Sequence, residues 1–132
     1  CHSVIPLMKQ QMDGLIINVS SWSGNHISLL SGVSYTSAKH AVNAMTETIN
    51  MEFCNVGIRA CALCPGEVAT PILEKRPKKL SLEQKNKMLQ PDDLGETIAF
   101  ICQMPKHVCI NELTISPTWH RRYIADLGIE EL

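Results

Sequence analysis

At 132 residues, with 45% apolar and 19% charged residues and a formal net charge of −1, the chain has the balance of one ordinary globular domain or part of one. That composition argues against both a disordered chain and a strong polyelectrolyte partner such as nucleic acid. The longest apolar runs, at 14–19 and 58–64, fall far short of the roughly 20 residues a membrane-spanning helix needs.

The opening Cys1-His2-Ser3-Val4-Ile5-Pro6 has neither an initiating Met nor the basic-then-apolar layout of a secretory signal, so the natural amino terminus is expected upstream. Gly14-Leu15-Ile16-Ile17-Asn18-Val19-Ser20 is a nearly unbroken apolar run, the pattern of a strand covered on both faces in a parallel sheet. Residues 58–64 read the same way. Between them Ala38, Val42, Met45, Ile49 and Phe53 recur at three- and four-residue steps, predicting a helix over 34–55 with those residues as its buried stripe. Gly57 is placed to stop it.

Pro65-Gly66 breaks the chain after the second strand, and 71–90 is polar, basic and poorly periodic, which predicts a long loop with about one helical turn. A loop of that length inside a compact domain is usually functional. Pro91 suits a first helical residue, with Asp92 and Asp93 well placed against the helix dipole and Leu94, Ile98 and Ile101 as the buried face. Pro105 ends that helix, 107–116 reads as a last strand, and 119–132 as a polar tail of unassigned structure. Strand, helix, strand, loop, helix, strand argues for an α/β fold with a parallel sheet and right-handed crossovers.

Tyr35 and Lys39 stand four residues apart near the start of the long helix, on one face and one turn apart. A free phenol titrates near pH 10, and a neighbouring ammonium favours its ionised form, so the pair could exchange protons near neutrality. Ser21 follows the first strand at its carboxyl end, where open α/β sheets place their ligands, and its hydroxyl could donate to an oxygen gathering negative charge. Taken singly, each signal is also met by a helix-capping serine or a surface contact.

Together they are specific. Asn18-Val19-Ser20-Ser21-Trp22-Ser23-Gly24, then Tyr35-Thr36-Ser37-Ala38-Lys39, then Cys64-Pro65-Gly66-Glu67-Val68-Ala69-Thr70-Pro71 closely resemble the catalytic half of the short-chain dehydrogenase/reductase family, over about 7–118. The resemblance implies a partial Rossmann fold, a doubly wound parallel sheet of which the later strands are present. It gives Ser21, three residues before Gly24, as the substrate-orienting serine, with Ser20 as fallback. Tyr35 becomes the proton donor or acceptor, and Lys39 its electrostatic partner and a contact of the nicotinamide ribose. Pro65, Gly66, Val68 and Thr70 fall at positions beside the nicotinamide and pyrophosphate. The implied reaction is alcohol/carbonyl interconversion with NAD or NADP on a small-molecule substrate. The ending Val108-Cys109-Ile110-Asn111-Glu112-Leu113-Thr114-Ile115-Ser116-Pro117-Thr118 resembles the branch that includes serine and 3-hydroxy acid dehydrogenases.

The family's glycine-rich phosphate loop, its cofactor-choosing residue and its catalytic asparagine do not occur in these 132 residues, and the stretch from Ser21 to Tyr35 is about one residue longer than is common in the family. The expected organisation is therefore 1–132 as the carboxyl-terminal catalytic part of one NAD(P)-binding domain, with 71–90 as substrate loop and 119–132 as tail. This stretch alone is expected to be inactive. The competing readings are a catalytically inactive truncated fragment serving as an interaction or structural module, and a small α/β binding module in which Tyr35 and Lys39 are incidental. By resemblance the long helix and one ending near Gln11 would form a homodimer or homotetramer contact, with Ala41, Ala44 and Met51 placed for it.

Six cysteines at 1, 54, 61, 64, 102 and 109 lie mostly in apolar stretches and are expected to be reduced thiols of a cytoplasmic protein. Cys61 and Cys64 share CxxC spacing but fall within a strand, which argues against a redox or zinc pair. No histidine has metal-ligand spacing; His26 is expected on a surface loop. The run Lys75-Arg76-Pro77-Lys78-Lys79 is expected to be solvated.

Overall fold

A computed structural model describes residues 1–27, 29–75 and 79–129. Helix α1 (Ile5–Gln11), with Pro6 in its first turn, closes on Met12 in a left-handed conformation and turns directly into strand β1 (Gly14–Val19). Helix α2 (Gly32–Phe53) follows, then strand β2 (Ile58–Pro65). The turn between α2 and β2 needs Gly57: its φ is +74°, and an added Cβ would collide with the carbonyl oxygen of Met12. The two helix-to-strand turns therefore sit against each other.

Helix α3 (Leu82–Asn86), helix α4 (Pro91–Gln103), strand β3 (Glu112–Ile115) and helix α5 (Arg121–Asp126) complete the order. The three strands form a parallel sheet in the order β1-β2-β3, with Val19 opposite Leu63 and Leu63 opposite Leu113. On one face Ile49, Ile58 and Ala60 pack with Ile5, Met8, Ile16 and Phe53, which seats α1 and α2. On the other, Cys61, Leu63 and Ile101 pack with Leu15, Ile17, Leu94 and Ile98, which seats α4. The α/β fold expected from the element order is the fold observed, and β2, buried along most of its length, is the covered central strand. Strand β1 is half-buried and forms one edge among the described residues.

Three expectations need correction. The inward side of α2 follows the apolar stripe only in part: Ile49 is buried with Phe53 packed against it and Val42 is half-buried, but Ala38 and Met45 are exposed and Thr36 and Thr46 are buried instead. For Thr46 the reason is polar satisfaction, whereas the Thr36 hydroxyl is buried with no hydrogen-bond partner among the described residues. Asn18 of β1 donates to Thr46 at 2.9 Å, and Asn50 donates to the carbonyl of Ala60 at 2.7 Å while accepting from its N–H at 2.6 Å. That side of the helix saturates backbone and side-chain groups of the sheet, a role no apolar residue can take.

The last strand is also shorter than 107–116. Where β3 has not yet begun, the Asn50 amide stands in for it at Ala60, and Asn111 accepts from the N–H of Ala62. The segment 71–90 carries more structure than one turn: a 3-10 turn at Pro71–Lys75, a capping box on α3 between Ser81 and Gln84, and a bridge between Val68 and Leu89. The basic run lies partly outside the described residues; within them Lys79 sits 4.0 Å from Glu74. In the tail, α5 docks with Ile124 and His120 buried.

Candidate functional site

The carboxyl ends of β1 and β2 lie side by side, and the residues singled out by motif spacing gather there. Strand β1 delivers Ser20 and Ser21, and the first two turns of α2 deliver Tyr35 and Lys39. The Lys39 ammonium donates to the carbonyl oxygen of Val19 at 3.0 Å and lies 5.7 Å from the centre of the Tyr35 ring. An ammonium carries three donors, so this contact anchors the cation without exhausting it. The Tyr35 side chain reaches solvent, with 47% of the residue exposed.

The two serines separate by environment. Ser20 is buried, and its hydroxyl donates to the carbonyl of Lys39 at 3.2 Å, tying the end of β1 to α2. Ser21 is half-buried and caps the 3-10 turn Trp22–Gly24, its oxygen accepting from the Ser23 N–H at 3.1 Å. Accepting that bond leaves its own O–H to donate elsewhere. Among the described residues no hydrogen bond joins Ser21 to Tyr35.

Beyond β2, Pro65 pairs in register with Ile115, and the Gly66 N–H donates to Ile115 at 2.7 Å. Gly66 is packed closely enough against Ser116 and Pro117 that a Cβ would come within 3.1 Å of the proline ring. Val68 bridges to Leu89, and the Thr70 carbonyl accepts from Leu73, so this turn is fixed on the segment 71–90. A cation, a phenol and a half-buried, backbone-rich turn at the carboxyl edge of a parallel sheet fit the nicotinamide end of a dinucleotide. The phosphate-gripping glycine turn has no counterpart in these residues.

Sequence reasoning missed two features. A polar chain braces the serine turn from beneath: Asn43 donates to Asn25 at 2.6 Å, and Asn25 donates to Glu112 at 2.5 Å. Asn43 spaced seven residues before Asn50 on the same helix was the available signal. The second is the packing of Trp22, which is stacked on His26 at 3.9 Å and lies 4.9 Å from the His120 ring; His26 is the exposed loop histidine expected, with one face on that indole. Nothing in the sequence pairs 22–26 with 120.

Cys61 and Cys64 are free and buried. Burial pushes the Cys61 thiol up to about 11, and it also raises that of Cys64 against a hydrogen bond from Asn43. Both therefore stay protonated at neutral pH, the opposite of an activated thiol pair.

A family profile described as short chain dehydrogenase matches residues 1–81. An uncharacterized oxidoreductase of Staphylococcus saprophyticus is 33% identical over 116 residues, which are 88% of this chain and 47% of that protein. Among solved structures, a β-ketoacyl-[ACP] reductase from Bacteroides thetaiotaomicron is 30% identical with a TM-score of 0.72, over 93% of this chain and 49% of that one. An alcohol dehydrogenase from the archaeon Thermococcus sibiricus, complexed with 5-hydroxy-NADP, is 26% identical with a TM-score of 0.74, over 91% and 48%. The chain thus spans about half the length of the curated relatives it matches.

Proposed function

Since the chain belongs to the short-chain dehydrogenase family, we propose that it is the catalytic half of an NAD(P)-dependent oxidoreductase that interconverts a small-molecule alcohol and its carbonyl compound. The observation that carries this reading is the placement of Lys39 beside Tyr35 at the carboxyl edge of the sheet. A bound nicotinamide would supply or accept the hydride.

The chain's own residues do the rest. Tyr35 holds the proton at its hydroxyl and exchanges it with the substrate oxygen. Lys39 stabilises negative charge on that hydroxyl and offers its remaining donors to the ribose. Ser21 donates to the substrate oxygen. Pro65, Gly66, Val68 and Thr70 form the wall beside the nicotinamide. The segment 71–90 is the substrate loop, and 1–132 is the carboxyl-terminal catalytic part of one NAD(P)-binding domain, with 119–132 as its tail. The exposed side of α2, with Ala41, Ala44 and Met51 outward, serves a homodimer or homotetramer contact. Six free thiols suit a cytoplasmic protein.

The test is direct. The purified native protein is titrated with NADH and NADPH and assayed for cofactor-linked turnover of a panel of ketones, aldehydes and alcohols, beside Tyr35→Phe. Saturable binding with Tyr35-dependent turnover supports the reading, and no binding of either dinucleotide overturns it.

A further inference from the structure

Helix α5 touches both loops of the candidate site, although the proposed chemistry does not use it. Arg121 donates to Glu67 at 2.6 Å, with the two side chains 27% and 24% exposed, and Glu67 sits directly after Pro65-Gly66. One residue further along, the Arg122 guanidinium lies 5.2 Å over the Trp22 ring and donates to the carbonyl of Ile27 at 3.3 Å. Trp22 directly follows Ser21. Between these contacts the buried His120 ring lies 4.9 Å from Trp22 and stacks on Tyr123 at 4.3 Å.

A helix of six residues is too short to hold itself in water. Its order comes from what it docks on, and a docked element restrains its partners in return. The contacts fall on two loops that leave different strands, one from β1 and one from β2. The partly buried Arg121–Glu67 pair and the ring stack around Trp22 together fix the distance between them.

We infer that α5 is a strap that holds the Ser21 turn and the Glu67 turn at one spacing, with His120, Arg121 and Arg122 as positioning residues. Its catalytic meaning rests on the proposed oxidoreductase site, whereas the mechanical coupling does not.

The test follows amide hydrogen exchange of the native protein on peptides covering 20–27 and 65–70, in Glu67→Arg, Arg121→Glu and the double swap. Each single change should speed exchange about three- to tenfold in both loops, including 20–27, with which the pair has no hydrogen bond among the described residues. The double swap should return both loops to within about twofold, while the β2 peptide stays unchanged throughout. Effects confined to 65–70, no effect, or a double swap that fails to restore 20–27 would each overturn the strap. If a single change prevents folding, Arg122→Ala substitutes for it, with faster exchange at 65–70 as the supporting result and none as the overturning one. NADH and NADPH titration of the same samples separates the two ideas: unbound dinucleotide removes the site reading and leaves the exchange result to decide the strap.

Discussion

The Lys39 ammonium donates to the carbonyl of Val19 at 3.0 Å, so the cation of α2 is anchored on the last residue of β1. Anchoring fixes the charge relative to both the Tyr35 ring and the strand end. Lys39→Ala removes the anchor and the charge together, and the native protein should then lose turnover and bind NADH and NADPH more weakly. Unchanged kcat and unchanged dinucleotide Kd would show that the four-residue spacing is incidental.

Tyr35→Phe removes one hydroxyl from a side chain that is about half exposed and has no described hydrogen-bond partner. Stability should hardly move, since surface changes usually stay within about 0.5 kcal/mol. Turnover should fall by at least about 10²-fold, the low end of general acid–base contributions. A folded variant with near-normal kcat would remove Tyr35 from the proton-transfer role.

Much of this was legible in the sequence, for identifiable reasons. Strand β2 announced itself because buried parallel strands are apolar runs, and α4 because Pro91, two aspartates and a clean apolar period all agreed; the same kind of run marked β1, which is only half-buried, with Val19 exposed, rather than covered on both faces. The face of α2 was legible only in part: Ile49 and Phe53 pack inward as their spacing predicts, while Asn43, Thr46 and Asn50 face inward to meet polar groups that the apolar period does not register. Helix α5 was hidden for a different reason. Its order depends on Trp22, about a hundred positions earlier, and local periodicity over six residues carries no such information.

Asn50 supplies a stability prediction from that overlooked face. Its amide takes both backbone groups of Ala60, which is completely buried and has no β3 residue beside it. Asn50→Ala leaves a buried N–H and C=O without these partners, so unfolding free energy should drop by about 1–3 kcal/mol, with dinucleotide Kd unchanged. Denaturant titration gives the first quantity. A loss within error of zero would mean that water replaces the amide at no cost.

His120 gives the pH dependence. Burial holds its pKa below the ordinary histidine value; Glu67 opposes that shift, while Arg122 and His26 add to it, with Trp22 and Tyr123 as its other neighbours. Its Nδ1 is buried without a hydrogen-bond partner among the described residues. Because the undocked histidine binds protons more readily, the docked state is fully favoured above about pH 6.5 and loses ground as pH falls below it. Tail peptides covering 119–127 should exchange faster at pH 5.5 than at pH 7.5 after correction for intrinsic rates. His120→Phe should flatten that difference, and an equally steep dependence in the variant would clear His120 of the effect.

The edge of β1 sets the last prediction. Gly14 donates its N–H to Gly57, just before β2, and Ser20 to Leu63 of β2, so Leu15 and Ile17 turn their backbone groups the other way, toward an edge that no strand covers among the described residues. An apolar parallel strand with an open edge is a template for association. The 132-residue chain expressed alone should therefore self-associate at micromolar concentration in light scattering or sedimentation. It should also fail to bind NADH or NADPH in calorimetry. Lys39, Tyr35 and the Pro65–Gly66 turn can meet only the nicotinamide end, while the pyrophosphate in such folds rests on a glycine turn and a helix N-terminus that these residues do not contain. Micromolar dinucleotide binding by a monomeric form of this chain would show that three strands build a complete nucleotide site, and the assignment of these residues to one half of a larger crevice would have to be abandoned.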